Sequence, residues 1–275
     1  MRPARPVAAI ALVVALAAIT GCAQARPPLT VASSEAPAAS SQIPVPTQSG
    51  SASSPSATAT ATASAPSSPP SSVPDADIDD PSSDAVVVDK LRPLNPADYV
   101  PTLVTLDVPY ANQNAYQLRP EASDALTTMF AAYTAQTGLK MQSQSAYRSY
   151  TAQKVIYNRY VAQNGRAWAD RGSARPGFSE HQTGLALDIN ALPSQCPIQD
   201  CFKNTTAGKW LAKNSWKYGF ILRYPDGYEK VTGYKYEPWH YRYIGVDLAA
   251  QYHASGATTL EGFFGLAAAP DYAGG

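Results

Sequence analysis

The sequence predicts an α+β fold: a single domain with a central antiparallel sheet flanked by helices, preceded by a long disordered linker. Three observations carry this. Helical periodicity dominates the first half of the folded stretch, period-two alternation the second, and the strands are joined by short, hairpin-like turns rather than by crossover helices. A run of Ala, Ser, Thr, Pro and Gln separates all of this from the N-terminus.

Residues 1–21 read as an export signal. Arg2 and Arg5 precede an apolar run from Val7 to about Ile19, too short to span a bilayer, which takes roughly 20 residues. Ile19, Thr20 and Gly21 then lead into Cys22, which resembles the lipobox of bacterial lipoproteins, cut before a cysteine whose thiol carries lipid. The simpler alternative is plain secretion with an incidental Cys22. Without the signal the chain keeps 19 basic against 21 acidic side chains. So neutral a chain offers no basic field, which argues against a nucleic-acid partner.

Residues 22–90 are expected to be linker. SGSASSPSATATATASAPSSPPSS cannot bury enough apolar surface to offset chain entropy, and the aspartates at 75, 77, 79, 80, 84 and 89 read as a solvated approach to the domain. A coil of roughly 70 residues reaches about 45–50 Å, enough to let a tethered head work away from the membrane. The domain is expected over 91–255, and the Gly/Ala-rich stretch 256–275 as a flexible tail.

Within the domain, EASDALTTMFAAYTAQTG places Leu126, Met129, Phe130 and Tyr133 on one helical face and stops at Gly138. LKMQSQSAYRS alternates like a strand. SYTAQKVIYNRYVAQNG is a helix capped near Ser149 and closed by Gly165, followed by a Gly/Pro loop. GLALDIN is a strand, TTAGKWLAKNSWKYG a third helix, FILRYP and GYKYEPWHYRYIG further strands, and GVDLAAQYH a short last helix. Cys196 and Cys201 bracket PIQD. In an exported chain this even pair reads as a disulfide, worth roughly 2 kcal/mol by loop entropy; the spacing is not that of a zinc CxxC site.

The chemistry gathers around two stretches. In GLALDIN, Leu185, Leu187 and Ile189 share one strand face and want a core, so Asp188 projects from the other, beside the loop of SEHQTG that holds His181. Alone that pair is weak. EPWH adds His240, with Glu237 three residues earlier; an odd separation would put these two on opposite strand faces unless Pro238 forces a bulge. Two His and one Asp make a three-ligand zinc set with an open fourth position for water, and Glu237 then sits where a general base for that water belongs. The HExxH helix of other zinc peptidases is absent.

SEHQTGLALDI and YEPWHYRYIG, with SAYRSYTAQ upstream and WLAKNSWKYGFILRYP between, closely resemble the VanY-type D-alanyl-D-alanine carboxypeptidases, of the zinc peptidase group that includes lysostaphin-like and hedgehog-like folds. The resemblance runs from about Pro96 to Leu248. It implies that His181, Asp188 and His240 bind Zn²⁺, that Glu237 is the catalytic base, and that Arg148 meets the substrate carbonyl or carboxylate. Ser179 is expected to bind the substrate terminus or to shape the turn, Trp239 to wall the pocket or to fill the core. Gln153, one turn into the second helix, and Tyr224, near the end of FILRYP, are expected to face the same cleft. The third histidine, His253, lies beyond the matched strands and reads as a surface or helix-end residue rather than a ligand.

The implied activity is removal of the terminal D-Ala from peptidoglycan stem peptides on the outer face of the cytoplasmic membrane. Two rivals share the site: an L,D-carboxypeptidase on tetrapeptide stems and an endopeptidase on cross-links. A third, a non-catalytic tethered wall-binding module, has no need of a base beside a ligand.

Overall fold

The structure, a computed structural model, describes residues 76–274. The expected signal, the lipidation site at Cys22 and the linker as far as residue 75 lie outside them. In chain order the elements are β1 (Val104–Thr105), β2 (Gln117–Leu118), α1 (Pro120–Thr137), β3 (Lys140–Ser145), α2 (Tyr150–Asn164), α3 (Arg166–Gly172), β4 (Ala186–Leu192), α4 (Thr206–Asn214), β5 (Phe220–Leu222), α5 (Glu229–Thr232), β6 (His240–Tyr243), α6 (Val246–Ser255) and α7 (Leu260–Phe263). β1 and β2 form a small ribbon; the main sheet is antiparallel throughout, in the order β3-β4-β6-β5. The α+β class with its flanked antiparallel sheet is as the sequence predicts.

Leu126, Met129, Phe130 and Tyr133 of α1 are buried together with Leu185, Leu187 and Ile189 and with Trp210 and Leu211 of α4. Each such aliphatic side chain, taken fully from water, contributes about 1.5–3 kcal/mol. This fixes the register of β4: a slip of one residue would turn Asp188 into the core. α2 begins where expected, Ser149 Oγ accepting from the Ala152 N–H.

Several expectations are corrected. The Gly/Pro loop after α2 contains α3, the third helix ends at Asn214 in a 3-10 turn (Ser215–Tyr218), and GYKYEPWHYRYIG is a strand only over His240–Tyr243. The domain is also longer than 91–255. Ala85 and Val87, from the acidic approach, share a second apolar cluster with Ile221, Ile244, Ala249, Leu260 and Phe264. Residues 76–90 are therefore packed chain, and 256–274 are no flexible tail: Leu260 and Phe264 are core, and the Ala269 N–H donates to the Val231 carbonyl at 2.7 Å. Average composition concealed AVVV and LEGFF, each apolar enough to hold its segment down.

One glycine decides the shape of the loop that carries His181. The 3-10 turn Glu180–Thr183 ends at Gly184, whose φ is 71°; a Cβ there would stand 3.1 Å from Arg119 Cγ and from Leu103 Cδ2. Gly184→Ala is expected to cost at least about 1–2 kcal/mol, the left-handed penalty alone. It should appear as a lower urea midpoint at unchanged m value.

Candidate metal centre and active site

His181 comes from the 3-10 turn, Asp188 from β4 and His240 from the first position of β6, which the sheet register sets directly opposite Asp188. All three are buried, and one potential ligand atom from each lies within 4.8 Å of the others. His181 Nδ1 donates to the Ala146 carbonyl at 2.8 Å, which leaves Nε2 facing Asp188 Oδ2 at 3.6 Å. His240 Nδ1 is 3.1 Å from Asp188 Oδ1, and its Nε2–H points at Glu180 Oε2, 3.3 Å away. Each ring is thus anchored through one nitrogen and turns the other toward Asp188, the His240 nitrogen hydrogen-bonded to it while no metal is bound. Two imidazole nitrogens and a carboxylate oxygen converging where water is scarce fit a Zn²⁺ site with three protein ligands.

Glu237 stands beside this set. It lies in a turn rather than on a strand: its N–H donates to the Tyr224 carbonyl and its own carbonyl accepts from the His240 N–H, both at 3.0 Å. The odd spacing to His240 is therefore no obstacle, and Glu237 Oε2 comes within 3.7 Å of His240 Nδ1. Loss of hydration pushes its carboxyl up to about 7; His240 opposes the rise and Asp188 adds to it.

Arg148 follows the irregular end of β3, and its N–H donates to the His181 carbonyl at 3.1 Å, tying it to the turn that carries His181. Its guanidinium donates to Ser145 Oγ and to Gln153 Oε1, each at 2.9 Å. Burial pulls its pKa below the ordinary arginine value, against the pull of Asp188 and Glu237. Gln153 does not line the cleft, contrary to expectation. It is fully buried, and its amide nitrogen is spent on Ser173 Oγ and the Ala174 carbonyl, so it aims Arg148 instead.

Ser179, Tyr224 and Trp239 do line the cleft, a cavity of about 170 Å³. The Tyr224 ring centroid is 4.8 Å from that of His240. Trp239 satisfies both of its readings, since it also belongs to the main core. Ile156, Arg159 and Tyr160 add a wall that sequence reasoning missed, although their i, i+3, i+4 spacing on α2 is a legible stripe. Cys196 and Cys201 are disulfide-bonded, and the loop between them brings Ile198 to the cleft. His253 is exposed on α6 and stacks on Trp216 at 4.0 Å, away from the site.

The residues most thoroughly missed run from the wall of the cleft, at Glu180, to the arginines behind it. Glu180, Arg223 and Arg242 are at most 1% exposed. Glu180 Oε1 accepts from Arg223 Nε at 2.8 Å and from an Arg242 guanidinium nitrogen at 3.0 Å. Burial alone would favour the neutral acid, yet the two arginines hold Glu180 well below the usual carboxylate range. The faint sequence signal was a charge inside the apolar runs FILRYP and HYRYIG; Glu180, in SEHQTG, gave none.

Comparison with known proteins agrees with this geometry. The family model of the D-alanyl-D-alanine carboxypeptidase VanY matches residues 115–246. YodJ of Bacillus subtilis (strain 168) is 42% identical over 191 residues, 68% of this chain and 69% of YodJ. Among solved structures, the LdcB LD-carboxypeptidase superposes with a TM-score of 0.63 at 40% identity, over 68% of this chain and 88% of LdcB. A mutant of the vancomycin-resistance D,D-pentapeptidase VanY, in complex with Zn(II), gives 0.54 at 33% identity, over 65% of this chain and 97% of that one. Sequence, fold and the converging His181, Asp188 and His240 agree, and the chain belongs to the VanY D-alanyl-D-alanine carboxypeptidase family.

Proposed function

We propose that this protein is a zinc-dependent D,D-carboxypeptidase that removes the terminal D-Ala from peptidoglycan stem peptides. The observation that carries the reading is the convergence of His181, Asp188 and His240 with Glu237 and Arg148 on one small cleft. A binding module would gain nothing from a desolvated carboxylate next to a ligand set.

Zinc held by His181, Asp188 and His240 would supply a Lewis acid for the scissile carbonyl and make water more acidic. Glu237 takes a proton from the attacking water as its oxygen bonds to the carbonyl carbon. As the C–N bond breaks, Glu237 returns that proton to the leaving amine, and the products are the shortened stem and free D-alanine. Arg148, aimed by Ser145 and Gln153, meets the charge on the terminal carboxylate or on the carbonyl oxygen, and Ser179 and Tyr224 border the same space.

A second reading, L,D-carboxypeptidase on tetrapeptide stems, is favoured by the greater likeness to LdcB. Purified protein with Zn²⁺ and defined penta- and tetrapeptide stems, analysed by mass spectrometry, tests both. Loss of one alanine from the pentapeptide alone supports the D,D assignment; loss from the tetrapeptide alone transfers it to the second reading. Cleavage of a stem with an amidated terminus as fast as the free acid would point to an endopeptidase. No release from any stem would leave the wall-binding module.

Arg148→Lys keeps the charge but loses the planar fork. It is expected to lower kcat/KM at least about tenfold. A rise in KM alone places Arg148 on the substrate carboxylate, and a fall in kcat alone places it on the developing oxyanion.

We also propose an outward-facing, membrane-anchored location through lipid on Cys22. Among the described residues no helix is long and apolar enough to cross a membrane, so an anchor would lie before residue 76. Radioactive palmitate should label the wild type and not Cys22→Ser; unlabelled wild type released into the medium would leave plain secretion.

A further inference from the structure

The back of the metal centre holds more charge than three ligands and a base need. Glu180 and Glu261 are both under 2% exposed, as are Arg223 and Arg242. Arg223 is shared: Nε donates to Glu180 Oε1 at 2.8 Å, and its two terminal nitrogens reach Glu261 Oε1 and Oε2 at 2.7 and 3.1 Å. Arg242 donates to Glu180 Oε1 at 3.0 Å and to the Asp84 and Val86 carbonyls at 2.9 and 2.7 Å. Two carboxylates and two guanidiniums balance. The remaining oxygen of Glu180 is the one that faces His240 Nε2.

A buried ion-pair cluster is weak evidence of stabilisation, because the desolvation of its charges offsets much of their attraction. What distinguishes this one is its direction. It ends on the outer nitrogen of a ligand imidazole, where a carboxylate sets the tautomer, orients the ring and raises its basicity. Its far end lies outside the family match at 115–246: Glu261 comes from α7, and the carbonyls that hold Arg242 come from the segment before residue 90.

We infer that Glu180 is a positioning residue for His240, and that Glu261 sets Glu180 through Arg223, so that the C-terminal helix α7 is a working part of the metal centre. This rests on the metal-centre reading above. Held on one oxygen by two arginines, Glu180 cannot swing away, and His240 presents Nδ1 toward Asp188 and His181 before any metal arrives. Without Glu261, Arg223 is free to draw Glu180 out of line.

The test uses the full chain and reads metal rather than turnover. Zn²⁺ affinity is measured by competition with a chromogenic chelator, and the Co²⁺-loaded protein is examined by visible absorption. Glu180→Asp keeps the charge that the arginines need but withdraws the carboxylate from His240. It is expected to weaken Zn²⁺ binding roughly 10–100-fold, the range for loss of such a supporting group, and to alter the Co²⁺ bands. Glu261→Gln should shift both in the same direction by less, and should add little in the Glu180→Asp background if it acts through Glu180. Wild-type affinity and spectra in both variants, with only a lower melting temperature, would overturn the inference and leave the cluster structural. A wild-type chain that binds no metal would overturn the metal-centre reading and this one together.

Should either variant fail to fold, the zinc-loaded wild type still tests the contact between Glu180 and His240. Long-range ¹H–¹⁵N spectra of its three histidines are expected to show the His240 ring proton on Nε2, and a proton on Nδ1 would overturn the inference.

Discussion

Glu237→Gln is expected to lower kcat by 10²–10⁴-fold, the usual contribution of a general base, while the protein keeps its full complement of metal. The two halves of this outcome come from different features. Glutamine has nearly the shape of glutamate, so the turn that fixes residue 237 between the Tyr224 carbonyl and the His240 N–H is retained. What goes is the capacity to take a proton from water and return it to the leaving amine. Metal should stay, because the ligand set closes without residue 237. Its burial and the neighbouring Asp188 both penalise a charge on Glu237, so above pH 7 the metal-free variant should melt no lower than the metal-free wild type. Steady-state kinetics on a stem peptide, metal analysis and a melting curve check the three parts. Retention of more than about a tenth of wild-type kcat would remove Glu237 from the proton's path; loss of metal with the activity would make it a ligand.

The place of Glu237 beside the His181, Asp188 and His240 set was legible in the sequence; its role is what the variant tests. The alternation of Leu185, Leu187 and Ile189 put Asp188 on the far face of β4, and the structure confirms that face as the cleft. Helices α1 and α2 were readable from periodicity and from punctuation at Gly138, Ser149 and Gly165, whereas the short α3, α5 and α7 were not. Reasoning failed where meaning depended on partners distant in the chain. Glu180 looks like a solvated neighbour of His181 until Arg223 and Arg242, 43 and 62 positions later, close on it. Gln153 has helical spacing that suits a cleft residue, but its amide is consumed by the Ser173–Ala174 turn. Composition misled at both domain edges, since averages over 75–89 and 256–275 hide the few apolar side chains that dock there.

The chain has three histidines, and substitution should separate them. His240→Ala and His181→Ala are each expected to weaken metal binding by more than the 10–100-fold expected for loss of a supporting carboxylate, because each would remove one of the three proposed ligands outright. Activity should fall with the metal in both. His253→Ala should bind metal as the wild type does; His253 is exposed and stacked on Trp216, and its loss affects only that surface pair. The ligand variants should also differ in stability. His240 lies between Asp188 and Glu180, so its removal leaves the buried Asp188 short of a partner, although Glu180 keeps both arginines. His181 gives up one bond to the Ala146 carbonyl and a longer approach to Asp188, a smaller loss. Metal-free His240→Ala should therefore melt below metal-free His181→Ala, with equal metal loss in both. Metal analysis after dialysis against a weak chelator, with a melting curve for each variant, reads both orders. Full metal in either His181→Ala or His240→Ala would remove that residue from the ligand set, and metal loss in His253→Ala would place a site where the fold shows only a stacked pair.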